Sequence, residues 1–263
     1  MTEIKTFEQY LLQLKREKWL IIISQLLLLV GFLFFWEIAA RQELIDTFLF
    51  SYPSAIVRIF WQYLSNGSIW MHIGITMLET LLGFFIGTIC GLIIAVLMWW
   101  FPLAAKILDP FLVVLNALPK TALAPIVIVW FGAGISGIIA VAVFISIIVT
   151  VLSAYSYFIN MDESKIKMLH SFGASKGQIF YKLILPANIG NMANIAKINI
   201  GLCLIGVIVG EFLVSRYGIG YLIVYGSQVF RLDLVMMGVV ILAICAWGMN
   251  TILNTLEHHI KNH

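Results

Sequence analysis

The chain has 263 residues, of which 62% are hydrophobic and 11% are charged, with a formal net charge of +3. Soluble domains carry a charge on about a quarter of their residues, so this composition excludes an ordinary soluble domain and indicates a protein surrounded by lipid bilayer. In such a chain the placement of lysine and arginine reports topology, and nucleic acid is not an expected partner.

Five apolar runs are long enough to cross a membrane as single helices, namely residues 19–36, 75–100, 135–158, 195–214 and 234–256. A sixth run, 111–131, is broken by Pro119, Lys120 and Pro125. Interrupted helices occur at membrane depth where protein or a water-filled cavity satisfies the freed backbone groups, so this run is a candidate pathway-lining segment. The predicted fold class is all-α, a polytopic membrane protein with about six transmembrane helices.

Six crossings place both termini on one side, and most of the lysines and arginines then fall on that side, which the positive-inside rule assigns to the cytoplasm. The predicted organisation is a cytoplasmic N-terminal segment (1–18), a transmembrane domain (19–256) with a cytoplasmic loop at 161–190, and a cytoplasmic tail (257–263). After Ser54, apolar residues recur every three or four positions, which predicts an amphipathic surface helix. The run 217–230 is too short to cross and predicts an interfacial or re-entrant helix.

The segment "SFGASKGQIFYKLILP", residues 171–186, is polar and rich in turn-forming residues although apolar runs flank it. Asp162 is a good N-cap for a first short helix, and Gly173 is the residue type that ends helices in a left-handed turn. Ser175 and Gln178 form a capping box that starts a second helix, which Pro186 is expected to end.

This second helix is expected to present an exposed apolar ridge that another molecule covers, formed by Ile179, Phe180, Leu183 and Ile184. Two interpretations compete: a polybasic loop resting on anionic lipid headgroups, or a docking site for another protein chain.

The spacing from Gly173 to Leu185 and Pro186 resembles the coupling loop of the inner-membrane permease subunits of binding-protein-dependent ABC importers. The segments "YPSAI" (52–56), "LPKTALAPIVIVWFGAG" (118–134) and "GEFLVSRYGIGYLI" (210–223) are similar to the nitrate, sulfonate, taurine and thiamine-precursor branch of that family. The resemblance covers roughly residues 52–256. It implies a type I ABC importer permease fold in the bacterial plasma (inner) membrane.

The resemblance also implies partners: an ABC ATPase subunit, a second permease copy, an extracytoplasmic solute-binding protein and the lipid bilayer. The chain is expected to bind no cofactor, because it contains no Gly-x-x-x-x-Gly-Lys-[Ser/Thr] phosphate loop; ATP and Mg would belong to the ATPase. It is therefore expected not to be an enzyme. The implied ATPase-coupling residues are Lys167, Met168, Leu169, Ser171, Gly173, Ala174, Ser175, Leu185 and Pro186.

The sequence departs from the family pattern at one place in this loop. The family usually carries Glu-Ala-Ala beginning six residues before the glycine, where this chain has Lys167, Met168 and Leu169. The docking geometry is expected to persist, and we hypothesise that Lys167 meets an acidic groove on the ATPase.

Ionisable residues and breaks at membrane depth predict a substrate pathway or gate, with candidates Glu79, Asn116, Pro119, Lys120, Pro125 and Glu211. Glu211 either belongs to a gate or pairs structurally with Arg216 or a backbone donor. Glu79 either lines the pathway or extends to the interface, and Lys120 either meets an anionic solute or extends to an edge.

The remaining features favour simpler roles. Gly83, Gly87 and Gly91 indicate close helix packing, and His72 is interpreted as a surface residue with no metal-ligand spacing around it. A stand-alone secondary transporter or channel is the alternative function, because broken helices at the midplane would look similar. A membrane-embedded enzyme lacks any catalytic constellation. The sequence does not select a transported solute.

Overall fold

The structure, a computed structural model, describes residues 7–261. Every regular element in this part of the chain is helical, which confirms the predicted all-α fold class. The α-helices, in chain order, are α1 (Phe7–Arg41), α2 (Thr47–Phe50), α3 (Pro53–Ser65), α4 (Ser68–Trp100), α5 (Pro102–Ala117), α6 (Ala124–Phe131), α7 (Ile135–Ile159), α8 (Glu163–Ser171), α9 (Lys176–Ile179), α10 (Leu185–Ala187), α11 (Ile189–Val214), α12 (Ile219–Gln228) and α13 (Leu232–Lys261).

Each of the five predicted apolar runs lies within a helix long and apolar enough to span a membrane. These spans are Leu14–Arg41, Ser68–Trp100, Ile135–Ile159, Ile189–Val214 and Leu232–Thr255. The predicted surface helix is α3, and the predicted short helix before the last span is α12. Of the predicted terminal segments, residues 1–6 and 262–263 lie outside the described residues.

Helices α4 and α7 pack closely along a row of small residues. The glycines Gly83, Gly87 and Gly91 face Ala142, Ser146 and Thr150 respectively. A Cβ added at Gly83 would lie 2.8 Å from the Cβ of Ala142, and one at Gly91 would lie 2.6 Å from that of Thr150. The predicted close packing is confirmed, because the backbones approach nearer than a larger residue would permit.

The order of these contacts shows that α4 and α7 run parallel, since the residue numbers rise together on both helices. The chain between them must therefore return across the membrane. That connection is α5, a 3₁₀ turn (Lys120–Leu123) and α6, with a bend of 91° between the two parts. The bent pair thus provides the sixth crossing, and the break predicted from Pro119 lies between its halves.

Helix α11 completes the core by packing antiparallel to both. A Cβ added at Gly206 would lie 2.6 Å from the Cα of Ala142, and one at Gly210 would lie 3.0 Å from the Cα of Ile138. At the centre, the buried amide of Asn199 donates to Thr88 Oγ1 at 2.9 Å and to Thr150 Oγ1 at 2.6 Å. Polar bonds of this kind supplement packing between helices in a bilayer.

The segment 161–190 forms a hairpin, but the apolar side of its second helix is not exposed as predicted. Ile179, Phe180 and Ile184 are 2%, 4% and 0% exposed, and they pack against the ends of α4, α7 and α11. The expectation of an exposed apolar ridge was therefore wrong. A short segment has one apolar face, and here this face is buried by the neighbouring spans.

Pro186 also does not end the second helix, because the chain remains helical to Ala187. A π-turn, Phe180–Ile184, precedes it, and the Leu185 N–H bonds to the carbonyl of Phe180. The wider turn places Pro186 in the first turn of α10, where a missing N–H is tolerated.

Candidate functional site

The hairpin at 161–190 is shaped by local caps that the sequence predicted. Asp162 Oδ1 accepts from the Ser164 N–H at 2.9 Å at the start of α8. Gly173 has φ +75° and ends α8, with its N–H bonded to the His170 carbonyl and the Ala174 N–H bonded to that of Leu169. Because only glycine adopts this conformation without strain, Gly173 fixes the reversal of the chain.

The second helix begins with the predicted capping box. The side chain of Ser175 accepts from the Gln178 N–H at 3.3 Å, and the Gln178 side chain accepts from the Ser175 N–H at 2.8 Å. Both ends of the turn are therefore fixed by their own residues, without help from a partner chain.

The exposed surface of the hairpin is partly apolar. Met168 is 53% exposed and Phe172 is 80% exposed, on either side of the polar Ser171. Lys167, Ser171, Gly173, Ser175 and Pro186 are exposed as well, whereas Leu169, Ala174 and Leu185 are half-buried. Sequence reasoning missed Phe172, although a large apolar residue directly before a helix-ending glycine was a usable signal.

Lys167 already has an acidic neighbour on its own helix. Its Nζ lies 2.8 Å from Glu163 Oε2, and both side chains are largely exposed. The Glu163 carboxylate raises the pKa of Lys167, and Lys167 lowers the pKa of Glu163, so both stay charged at neutral pH. An exposed pair of this kind contributes little stability, because water screens it.

The hairpin is attached to the end of α4 through Lys176. Its Nζ donates to the carbonyl of Trp100 at 2.5 Å and lies 5.2 Å from the centre of the Trp99 ring. The Trp99 ring in turn packs on Phe180 with 5.1 Å between centroids. A displacement of the hairpin therefore acts directly on the last turn of α4.

The predicted residues at the broken crossing lie together around the bend. Lys120 Nζ donates to both the backbone carbonyl and the side-chain Oδ1 of Asn116, each at 3.0 Å. Pro119 and Pro125 are exposed, and Lys120 is half-buried. Lys120 thus satisfies a carbonyl near the C-terminal end of α5, where cations are favourable.

A second group of residues lies at the other end of α4, opposite the hairpin, and is here called the α4–α12 cluster. It consists of His72, Thr76, Glu79, Glu211, Gly218 and Gly220. Glu211 is 1% exposed, and its carboxylate accepts from Thr76 Oγ1 at 2.6 Å and from the Gly220 N–H at 2.5 Å. Among the ion pairs of the described residues, none joins Arg216 to Glu211. Of the two structural partners considered for Glu211, Arg216 or a backbone N–H, the structure shows the backbone N–H.

The two glycines of the cluster are required by the Glu211 side chain. A Cβ added at Gly218, where φ is +104°, would overlap the Glu211 carboxylate, and one added at Gly220 would lie 2.7 Å from Glu211 Oε2. The carboxylate therefore sits directly on the N-terminus of α12, where unpaired backbone N–H groups favour an anion.

His72 and Thr76 join α4 to the same turn. The Gly218 N–H donates to His72 Nδ1 at 3.0 Å, and the Ile219 N–H donates to Thr76 Oγ1 at 2.8 Å. The interpretation of His72 as a surface residue was therefore wrong, because its ring is buried against Gly218 and stacks on Tyr221. Its partner lies far along the chain, so no local pattern indicated it.

Glu79 lies one turn deeper than Thr76 and is 1% exposed. It does not extend to the interface. Glu79 follows Thr76 by three residues on α4, and because the Thr76 hydroxyl bonds to Glu211, the buried Glu79 carboxyl group lies beside that of Glu211. No N–H or hydroxyl donor of the described residues reaches either Glu79 oxygen. Two acidic side chains thus lie next to each other in the interior, and the hydrogen-bond donors of the described residues all go to Glu211.

These features agree with a known family of transport proteins. The model of the family described as "Binding-protein-dependent transport system inner membrane component" matches residues 83–262, which is more than half of the chain. The chain belongs to this family. The permease is thus a multi-pass component of the inner membrane, and the resemblance noted in its sequence is confirmed.

Curated relatives match most of the permease. The formylaminopyrimidine transport permease protein ThiX of Halalkalibacterium halodurans is 29% identical over 71% of this chain and 74% of that protein. The riboflavin transport system permease protein RibX of Chloroflexus aurantiacus is 27% identical over 89% of this chain and 86% of that protein.

Among solved structures, the inward-facing MetNI methionine ABC transporter matches with a TM-score of 0.52 and 15% identity, covering 77% of this chain and 98% of that chain. This likeness shows the fold, which is that of a type I ABC importer permease. Members of the family are non-catalytic subunits. Among the residues that the structure describes, no group of three or more His, Cys, Asp and Glu side chains could hold a metal ion.

Proposed function

We propose that this permease forms the translocation pathway of an ATP-driven importer of a small solute and is coupled to a separate ATPase subunit by the hairpin at 161–190. The observation that carries the proposal is the exposed apolar pair Met168 and Phe172 beside Gly173. Exposed apolar groups of this kind on a rigid, capped turn favour protein contact over rest on lipid headgroups.

The base of the hairpin supports a mechanical role. Phe180 and Ile184 are buried among α4, α7 and α11, and Lys176 bonds to the last residue of α4. A force on the hairpin would therefore move the spans rather than a loose loop. The proposed coupling surface consists of Lys167, Met168, Leu169, Ser171, Phe172, Gly173, Ala174, Ser175, Leu185 and Pro186.

This function assigns the partners and the orientation. The hairpin and both terminal segments face the cytoplasm, where the ATPase binds ATP and Mg, and a solute-binding protein docks on the opposite side. The described part of α1 that would span the bilayer contacts little of its own chain, which leaves it free for lipid or a second permease copy. Residues 19–256 form the transmembrane domain between these surfaces.

The proposed pathway lies along the break in the bent crossing α5–α6, at Asn116, Pro119, Lys120 and Pro125. Glu79 and Glu211 would belong to a gate at the end of α4 opposite the hairpin. The support for this assignment is the interrupted helix itself with its exposed Asn116, Pro119 and Pro125, because polar backbone at a break within the membrane needs a cavity or protein around it. Names of the relatives include a formylaminopyrimidine and riboflavin, which favours a small solute for this chain.

A photoreactive amino acid at Met168 tests the coupling surface. We expect it to crosslink the ATPase in the assembled transporter, because Met168 is exposed on the hairpin. The matched control is Phe230, 69% exposed after α12 on the opposite side, which should yield no ATPase product. Transport by the lone chain, with neither position capturing an ATPase, would instead establish a secondary transporter or channel.

Single cysteines at Asn116 and Lys120 test the pathway. We expect both to react with a membrane-impermeant thiol reagent, and the rate to change by about tenfold or more when ATP closes the ATPases, since the cavity alternates its access. The control is a cysteine at Val129 on α6, 80% exposed but apolar in its surroundings, which should remain slow throughout. Lack of reaction at Asn116 and Lys120 in every state would remove them from the pathway.

A further inference from the structure

The contact between Glu79 and Glu211 is unusual because both carboxyl groups are buried and no cation of the described residues forms an ion pair with either of them. Each side chain is 1% exposed. None of the ion pairs formed by the described residues includes either group. Two negative charges at this position would face each other without water, which is far more costly than burying one charge that is well hydrogen-bonded.

On the helices packed around the pair, the described titratable side chains provide no buried cation that would balance a second negative charge. The nearest titratable side chain on α4 is His72, whose Nδ1 already accepts a hydrogen bond from the Gly218 N–H. The nearest one on α12 is Tyr221. Arg216 in the turn before α12 is exposed, and Arg231 just before α13 pairs with Asp233. Helix α3 carries a half-buried Tyr63 and an exposed Arg58. The facing half of α7, residues 135–146, contains no titratable side chain.

The hydrogen-bond donors are distributed unequally between the two carboxyl groups. Glu211 accepts from Thr76 Oγ1 and from the Gly220 N–H, and it lies on the N-terminus of α12. These donors stabilise an ionised carboxylate. Glu79 receives no donor, so its only available bond is one that it donates itself.

We propose that Glu79 and Glu211 form a proton-binding site, in which one proton is held on Glu79 and is donated as an O–H···O bond to the Glu211 carboxylate. The pair then carries one negative charge, which the α12 N-terminus and Thr76 satisfy. Both Glu79 oxygens lack any other partner, and this assignment gives the side chain the bond that a buried polar group requires.

The proton would hold α4 against the turn between α11 and α12. When it leaves, two buried carboxylates repel each other across the contact, and the closure at this end of the permease weakens. Since the folded pair binds a proton that carboxyl groups in water release, stability falls as the pH rises. This site goes beyond the proposed transport function, because it requires neither the ATPase nor a solute.

The test uses the full-length permease purified in lipid nanodiscs. Its melting temperature is measured from mildly acidic to alkaline pH for the wild type, for Glu79→Gln and for Glu17→Gln, an exposed control in α1. We expect the wild type and the control to lose several degrees as the pH rises. Glu79→Gln should lose less, because its amide donates the same bond at every pH.

A second measurement keeps the proposal falsifiable if Glu79→Gln folds poorly. The infrared spectrum of the wild type at neutral pH should contain the carbonyl band of a buried protonated carboxylic acid, and alkaline pH should remove it. Absence of this band, or equal pH dependence in wild type and Glu79→Gln, would overturn the proposal. Stabilisation of the wild type by added Na⁺ or Ca²⁺, lost in Glu79→Gln, would overturn it in favour of a bound cation.

Discussion

Replacement of Phe172 by aspartate is expected to release the ATPase and abolish most ATP-driven transport. Phe172 is 80% exposed at the tip of the hairpin, so we expect the change to leave the folded permease intact and to place a charge on the proposed coupling surface. Removal of a central aromatic anchor commonly costs about 2 kcal/mol or more, which is roughly a 30-fold loss of affinity. The measurement is ATPase retained on the immobilised permease, followed by solute uptake in vesicles.

Phe230→Asp is the matched control for this experiment, because it makes the same chemical change at an exposed phenylalanine on the opposite side. It should retain the ATPase at the wild-type level. The melting temperature of the isolated permease should be the same for Phe172→Asp and wild type. Full ATPase retention by Phe172→Asp would show that the hairpin docks through another surface.

Replacement of Gly218 by alanine is expected to be among the most damaging single-methyl changes in the described chain. At φ +104° an alanine is strained, at a cost of about 1–3 kcal/mol, and its Cβ would overlap the Glu211 carboxylate. Overpacking adds about 1–3 kcal/mol more. We expect a large drop in the melting temperature and loss of transport.

Gly74→Ala provides the control, because Gly74 lies in α4 close to His72 and an added Cβ there meets nothing within 4 Å. This variant should melt within a few degrees of the wild type. If Gly218→Ala melted like Gly74→Ala, then Glu211 would not occupy the N-terminus of α12 as described.

Local chemistry could be predicted from the sequence, and long-range contacts could not. The caps at Asp162 and Ser175 and the reversal at Gly173 depend on residues within a few positions, and all three were predicted correctly. The direction of the apolar face around Phe180 depends on which spans stand beside it. The burial of His72 depends on Gly218, which lies 146 positions away.

The same distinction between local features and long-range contacts applies to the candidate site. Glu79 and Glu211 were both recognised as costly charges at membrane depth, since their residue type alone is sufficient evidence. Their contact with each other was not predicted, because it requires the antiparallel register of α4 and α11. Phe172 was missed because a single apolar residue carries no periodic signal, and only its position directly before the helix-ending Gly173 distinguishes it.

The uninterrupted length of α4 links the two ends of the permease. The helix runs from Ser68 to Trp100 without a break, and its 33 residues form a rod of about 50 Å. A tilt of about 10° around its midpoint would displace each tip by ~4 Å, more than a hydrogen bond can stretch. Thr76 lies about 12 Å from the midpoint and would move by ~2 Å, enough to break its 2.6 Å hydrogen bond to Glu211. A push at the Trp100 tip would therefore be felt at the opposite side of the bilayer through one stiff lever.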